Sequence, residues 1–229
     1  MKNLSKLEKK IGVTFKNKDL LLQALVHRSY INENRDFRLD HNERLEFLGD
    51  AVLELISTEN LYKKFPEHPE GVLTNFRAAL VNSKMLAEIS GRLGVEDHLL
   101  MSRGEKKDTG KARNYLLANA LEAIIGAVYL DQGYRKSKEF ITNSILCETE
   151  RVLKDKLYQD PKSGFQEKAQ EKMGVTPNYE VIKERGPDHN KHFVVGVYLE
   201  NKLIAEGEGS SKQDAQRNSA EKALKVKGW

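Results

Sequence analysis

Three carboxylates in the stretch Asn42 to Glu54, NERLEFLGDAVLE, are spaced to act together. Glu43, Glu46 and Asp50 fall at i, i+3 and i+7, which on a helix places them along one stripe. Solvated helices usually carry Lys or Arg four residues after an acid, but here Glu46 is followed at that spacing by Asp50, and Asp50 by Glu54. Like charges so placed repel by a few tenths of a kcal/mol, roughly, per pair. The stripe is therefore either an acidic face in water or one side of a cation site. A second stretch, Tyr115 to Leu130, is apolar except for Asn119, Glu122 and Gly126. Asn119 and Glu122 share a face, and no Lys or Arg occurs from Tyr115 to Gln132. A buried carboxylate without a partner costs several kcal/mol, so Glu122 needs a cation or a proton. Two such helices face to face form an oxygen cage suited to Mg²⁺, with Mn²⁺ as a substitute.

The elements that must hold these residues are helical. Leu45, Leu48, Val52 and Leu55 recur at helical intervals, so the acidic stretch reads as a helix running to about Phe65, where Pro66 and Pro69 break the chain. The second stretch reads as a helix buried nearly all round, too short and polar to span a membrane. Before them come an amphipathic helix over 4–12 and a helix over Asp19 to Tyr30 containing His27, expected to be a hydrogen-bonded structural histidine. Ile31 to His41 reads as a loop. One helix is expected from Glu70-Gly71 through VLTNFRAALVNSKMLAEISGRLG. Glu70 alone reads as an acid complementing a helix dipole. Arg103 to Arg113 is a loop with five basic residues against two acids, either plain surface or a phosphate contact. A last helix runs from Gly133 towards Leu157, with Cys147 as a small core residue.

Asp160-Pro161 then opens a different pattern: Asp suits a helix N-cap and Pro the first turn. Phe165, Ala169 and Met173 form the apolar line of a helix closed by Gly174. Three strands follow at Tyr179 to Arg185, His192 to Glu200 and Leu203 to Glu208, and a final helix opens after GEGSSK. The expected fold is an all-α domain over 1–150, a linker over 151–160 and a small α+β domain of order α-β-β-β-α over 161–229.

Composition narrows the class. Charged residues make up 31% of the 229, mean hydropathy is −0.62, and no apolar run reaches membrane-span length. The start, MKNLSKLEKK, lacks an apolar core, and one cysteine supports neither an internal disulfide nor a cysteine zinc site, so a cytoplasmic protein is expected. Residues 161–229 hold 12 basic and 10 acidic residues, and the remainder 26 and 24, a net of +2 in each part. Nucleic-acid binding must therefore rest on where the charges sit.

NERLEFLGDAV resembles the nine-residue hallmark of the ribonuclease III family, and LLANALEAIIGAVYLDQG its second metal-binding helix. PEGVLTNFRAALVN and LLMSRGEKK match the family's spacing between them. PKSGFQEKAQ, RGPDHNKHFVVGV and AEGEGSSKQDAQ resemble the double-stranded-RNA-binding domain. The resemblance implies a homodimeric, Mg²⁺-dependent endonuclease that cuts double-stranded RNA to 5′-phosphate and 3′-hydroxyl ends with short 3′ overhangs, in processing of ribosomal and other RNA precursors. It implies Glu46, Glu122 and position 119 as metal ligands, Asp50 close by through water, Glu43 and Glu70 as outer acids, and Phe47 inserted into the partner subunit; read locally, Phe47 fits a core equally well. Gln166, Glu167 and His189 are implied to meet ribose hydroxyls in two minor grooves, and Ser210, Ser211 and Lys212 to meet phosphate at a helix N-terminus. The chain departs from the pattern twice. Lys212 is followed by Gln213 where a second basic residue is usual, and Asn119 stands where the family has Asp. An amide oxygen can ligate Mg²⁺ but brings no charge, so a catalytically silent double-stranded-RNA-binding dimer is the alternative.

Overall fold

The computed structural model describes residues 4–107, 110–187 and 191–229. The chain divides into two compact units, Met1–Tyr158 and Gln159–Trp229. Among the described residues no helix is long and apolar enough to cross a membrane.

The first unit is built from helices α1 (Leu4–Ile11), α2 (Lys18–Ala24), α3 (Arg28–Glu33), α4 (Glu43–Lys64), α5 (Glu70–Val81), α6 (Ser83–Leu93), α7 (Lys111–Ser144) and α8 (Thr149–Lys154). Its centre is α7, which packs against α2, α4 and α6. Ala120, Leu121, Ala123, Ile124, Ile125, Ala127 and Val128 are all fully buried, as expected of a helix apolar on nearly every side. At Gly133 α7 bends, with φ at 76°, a conformation that a β-carbon disfavours. Just before the bend the Asp131 carboxylate accepts the backbone N–H groups of Lys16 and Asn17, both at 2.8 Å, and so pins the turn that leads into α2.

Two expected helices are each broken in two. The stretch Asp19 to Tyr30 divides because Val26 leaves the helix to pair with Leu100. Leu100 N–H donates to Leu25 C=O and His27 N–H to Leu100 C=O, both at 2.8 Å. The chain resumes as α3, whose N-cap is His27, and α3 takes up part of the expected loop after Tyr30. The long helix after Glu70 breaks at Asn82, which is extended, with ψ at 156°. Its side-chain oxygen accepts Met85 N–H at 3.0 Å while its amide donates to Ala79 C=O at 2.9 Å. Asn is a strong N-cap, so this break had a local signal. The last expected helix likewise ends early: α7 stops at Ser144, and a 3-10 turn over Leu146–Glu148 leads into α8. Cys147 is exposed on that turn and is not a core residue.

The second unit comprises α9 (Pro161–Met173), an antiparallel sheet in the order β1 (Asn178–Arg185), β2 (His192–Leu199), β3 (Lys202–Gly209), and α10 (Lys212–Lys227). The alternation expected of β2 holds, with Phe193, Val195, Val197 and Leu199 all buried under the helices. Asp160 caps α9 by accepting Ser163 N–H at 3.1 Å. Phe165 and Ala169 are fully buried, but Met173 is 45% exposed, against expectation. Steps of four residues advance about 40° around a helix each time, so the third member of such a row has turned off the core face.

Candidate active site

The site is built at the crossing of α4 and α7, and two glycines set how close they come. A β-carbon at Gly49 would lie 1.7 Å from the Glu122 carbonyl oxygen, and one at Gly126 would lie 2.2 Å from that of Leu45. The two backbones are therefore in direct contact. Glu46 lies one turn before Gly49 and Glu122 one turn before Gly126, so the contact brings both acids to the same crossing. Neither glycine was singled out from the sequence for this role; its signal was a glycine inside an otherwise unbroken helical pattern.

The charges behave as a crowded set. Burial pushes the Glu122 carboxyl up to about 7, with the Asp50 and Glu46 charges adding to the effect. Burial also raises Glu46, reinforced by Glu43 and Asp50 and opposed by a hydrogen bond from the Asn119 side chain. Among the described residues Glu46, Asp50 and Glu122 have no ion-pair partner, whereas Glu43 meets Arg28 at 3.5 Å and the His41 ring at 3.8 Å. Glu43, Glu46, Asn119, His27 and Asn42 line one pocket, closed on its apolar side by Leu99, Met101 and Leu116. Asp50 and Glu122 lie outside that lining but near enough to Glu46 for their charges to act on it. Glu70 is not among the residues lining the pocket: it is exposed at the head of α5 and accepts a hydrogen bond from Thr74 at 2.9 Å. Phe47, on α4 between these acids, is 82% exposed, which removes the reading of it as core of the single chain.

The donor chemistry fits a hard divalent cation, because carboxylate and amide oxygens are what Mg²⁺ and Mn²⁺ take, and the buried acids lack a cation. Among the described residues no three Asp, Glu, His or Cys side chains gather closely enough to hold an ion. The amide of Asn119 donates to Glu46, so a ligand role for it needs its oxygen turned inward.

In the second unit Gln166 and Glu167 are exposed on α9. Ser211 caps α10, accepting Asp214 N–H at 3.1 Å, and the Ser210 and Ser211 hydroxyls donate to the Asp214 carboxylate at 3.1 and 2.8 Å. The helix start expected to attract phosphate thus already carries an acid of its own, which Ser211 followed three residues later by Asp214 signalled in the sequence. Lys212 lies over the Phe193 ring, 5.8 Å from its centre. His189 lies outside the described residues.

Comparison with known proteins covers both units. A family model described as ribonuclease-III-like matches residues 17–149, and one described as a double-stranded RNA binding motif matches residues 161–227. A protein named Ribonuclease 3 from Natranaerobius thermophilus is 42% identical over 219 residues, spanning 96% of this chain and 94% of its own. The Ribonuclease 3 of a Sulfurovum species is 43% identical over 227 residues, spanning 99% of each chain. A crystal structure of the nuclease domain of ribonuclease III from Campylobacter jejuni is 44% identical and covers 66% of this chain and 96% of its own, with a TM-score of 0.57. Another structure of that domain, described as flexible in a region involved in dimer formation, is 43% identical and covers 62% and 98%, with a TM-score of 0.55.

Proposed function

The chain belongs to the ribonuclease III family and is an endoribonuclease with a double-stranded-RNA-binding domain; from that premise we propose that it cuts duplex RNA with Mg²⁺, or Mn²⁺ in its place, at the crossing of α4 and α7. The observation that carries this reading is the pair Glu46 and Glu122, partly buried without a cation beside Asp50 at a crossing fixed by Gly49 and Gly126. Glu46, Glu122 and the Asn119 oxygen would hold the ion, which supplies Lewis acidity at the scissile phosphate and a more acidic attacking water. Asp50 accepts hydrogen bonds from water at the edge of the site, and Glu43 and Glu70 act as outer acids towards RNA or further metal.

The Campylobacter domain is described in terms of dimer formation. Here Phe47 stands clear of its own core, and we read it as the side chain that enters a second copy, giving a homodimer with two sites. Gln166, Glu167 and His189 meet ribose hydroxyls, and Ser210, Ser211 and Lys212 approach phosphate, with affinity lowered by Asp214. Products carry 5′-phosphate and 3′-hydroxyl ends, and the substrates are ribosomal and other RNA precursors in the cytoplasm. Cleavage of duplex RNA in Mg²⁺, stopped by chelator and not seen on duplex DNA of the same sequence, is the test. The hydrogen bond from Asn119 to Glu46 favours a second reading, a dimer that binds duplex RNA without cutting it. Binding without cleavage at any Mg²⁺ or Mn²⁺ concentration selects that second reading.

A further inference from the structure

His27 has a second ring nitrogen that its capping role leaves unused. His27 lines the pocket with Glu43, Glu46 and Asn119. Its backbone is fixed from outside the local helix, by the N–H bond to Leu100 C=O at 2.8 Å. Its Nδ1 accepts Ser29 N–H at 3.3 Å and lies 2.7 Å from Ser29 Oγ. That hydroxyl oxygen in turn accepts Ser102 N–H at 3.0 Å, so its own proton is free to be donated to Nδ1. Both bonds make Nδ1 an acceptor, and in a neutral imidazole the proton then sits on Nε2. Nε2 makes no hydrogen bond among the described residues and is not shut off from solvent.

The chemistry around it makes this donor useful. Ionised Glu43 and Glu46 are acceptors only, and the rest of the lining, Leu99, Met101 and Leu116, offers no polar side-chain hydrogen. The amides of Asn42 and Asn119 each spend one of their two N–H groups inside the protein, on Ala24 C=O at 3.3 Å and on Glu46. Phosphate and ribose oxygens of an RNA strand are acceptors that a wall of carboxylates repels or leaves unbonded. We propose that His27 donates its Nε2–H to a backbone oxygen of the RNA strand at the acidic pocket, and is thereby a substrate-contacting residue of the reaction. This inference rests on the nuclease reading above.

Two measurements on the full chain test it. In long-range proton–nitrogen spectra of histidine-labelled protein, His27 should appear as the Nε2–H tautomer. Its Nε2 signal should shift on saturation with a short RNA duplex. A shift with inorganic phosphate as well assigns the acceptor to phosphate; a shift with RNA alone assigns it to ribose. The Nδ1–H tautomer, or no shift at saturation with either probe, overturns the proposal. His27→Asn keeps an oxygen to cap Ser29 N–H but removes the Nε2 donor. Its melting curve should stay close to that of the parent, while kcat/KM for duplex cleavage falls about tenfold. Cleavage is read in the parent and in Asn119→Asp. No cleavage in either background ends the nuclease reading and the inference with it. Cleavage that His27→Asn leaves unchanged overturns the inference alone.

Discussion

Asn119 and Glu122 carry opposite lessons about charge. With an amide at 119, the pocket keeps Glu46 in place by a hydrogen bond but offers a cation one negative charge fewer. Asn119→Asp should lower the Mg²⁺ concentration needed and raise the cleavage rate at least tenfold, about 1.4 kcal/mol or more in barrier. Glu122→Gln in that background should abolish the gain. If rate and Mg²⁺ dependence stay unchanged, position 119 is not a ligand. Glu122 itself carries the pH signature, because its carboxyl is pushed from 4.5 up to about 7 by burial, Asp50 and Glu46. A carboxyl raised in the folded state favours folding fully below its unfolded value and loses that contribution as pH rises through the folded one. In metal-free buffer the protein should therefore lose stability between pH 4.5 and about 7. Melting curves across that window should be flatter for Glu122→Gln, which stays neutral; an equal slope in both proteins would show that Glu122 titrates as an ordinary surface acid.

At the scale of elements, the fit between α4 and α7 depends on missing side chains. The atoms that a β-carbon would meet at Gly49 and Gly126 are backbone carbonyl oxygens, at 1.7 and 2.2 Å, and no rotamer change can move them. Gly49→Ala and Gly126→Ala should each push the helices apart and cost about 3 kcal/mol or more, the upper end of overpacking. Gly91 is the control: it is also helical, in α6, but a β-carbon there meets nothing within 4 Å. Gly91→Ala should leave stability unchanged or raise it by up to about 1 kcal/mol. Urea denaturation of the three variants gives the comparison, and equal effects at all three positions would mean that the crossing is not sterically fixed. Further along, Glu59 on α4 receives Lys63 and the Tyr134 hydroxyl and Lys138 of α7, a second tie between the same two helices beyond the bend at Gly133.

At the scale of the whole molecule, α4 carries an apolar stripe that is exposed among the described residues. Phe47, Leu55 and Tyr62 are 82%, 59% and 72% exposed. Leu55, which recurs at helical intervals with Leu45 and Val52, lies on this outer stripe while those two are buried. The helical angle between Leu55 and Leu45 is about 80°, enough to carry it past the edge of the buried face. If the stripe meets a second copy, sedimentation should give a dimer at micromolar concentration without RNA. Phe47→Ala should then weaken that dimer by about 3 kcal/mol, more than a hundredfold in Kd, with little change in the monomer's own melting. A monomeric parent would sink the assembly, and a variant that unfolds would show that Phe47 supports its own chain.

The sequence by itself determined the helical first unit, the α-β-β-β-α second unit, the burial of α7 and the residues of the acidic stripe. These follow from periodicity, which reports the angle of each side chain around its own element. Asn82 and Asp214 carried local cap signals too, although the apolar periodicity runs a helix through Asn82 and does not mark Asp214. Periodicity does not report which element lies opposite. That Val26 leaves its helix for Leu100 and that Gly49 and Gly126 bring α4 against α7 are contacts between residues more than 70 positions apart, and His27 lines the acidic pocket together with Asn119, far from it in sequence. Only the tertiary structure decided them, since the energy that fixes each comes from a partner whose position no local spacing encodes.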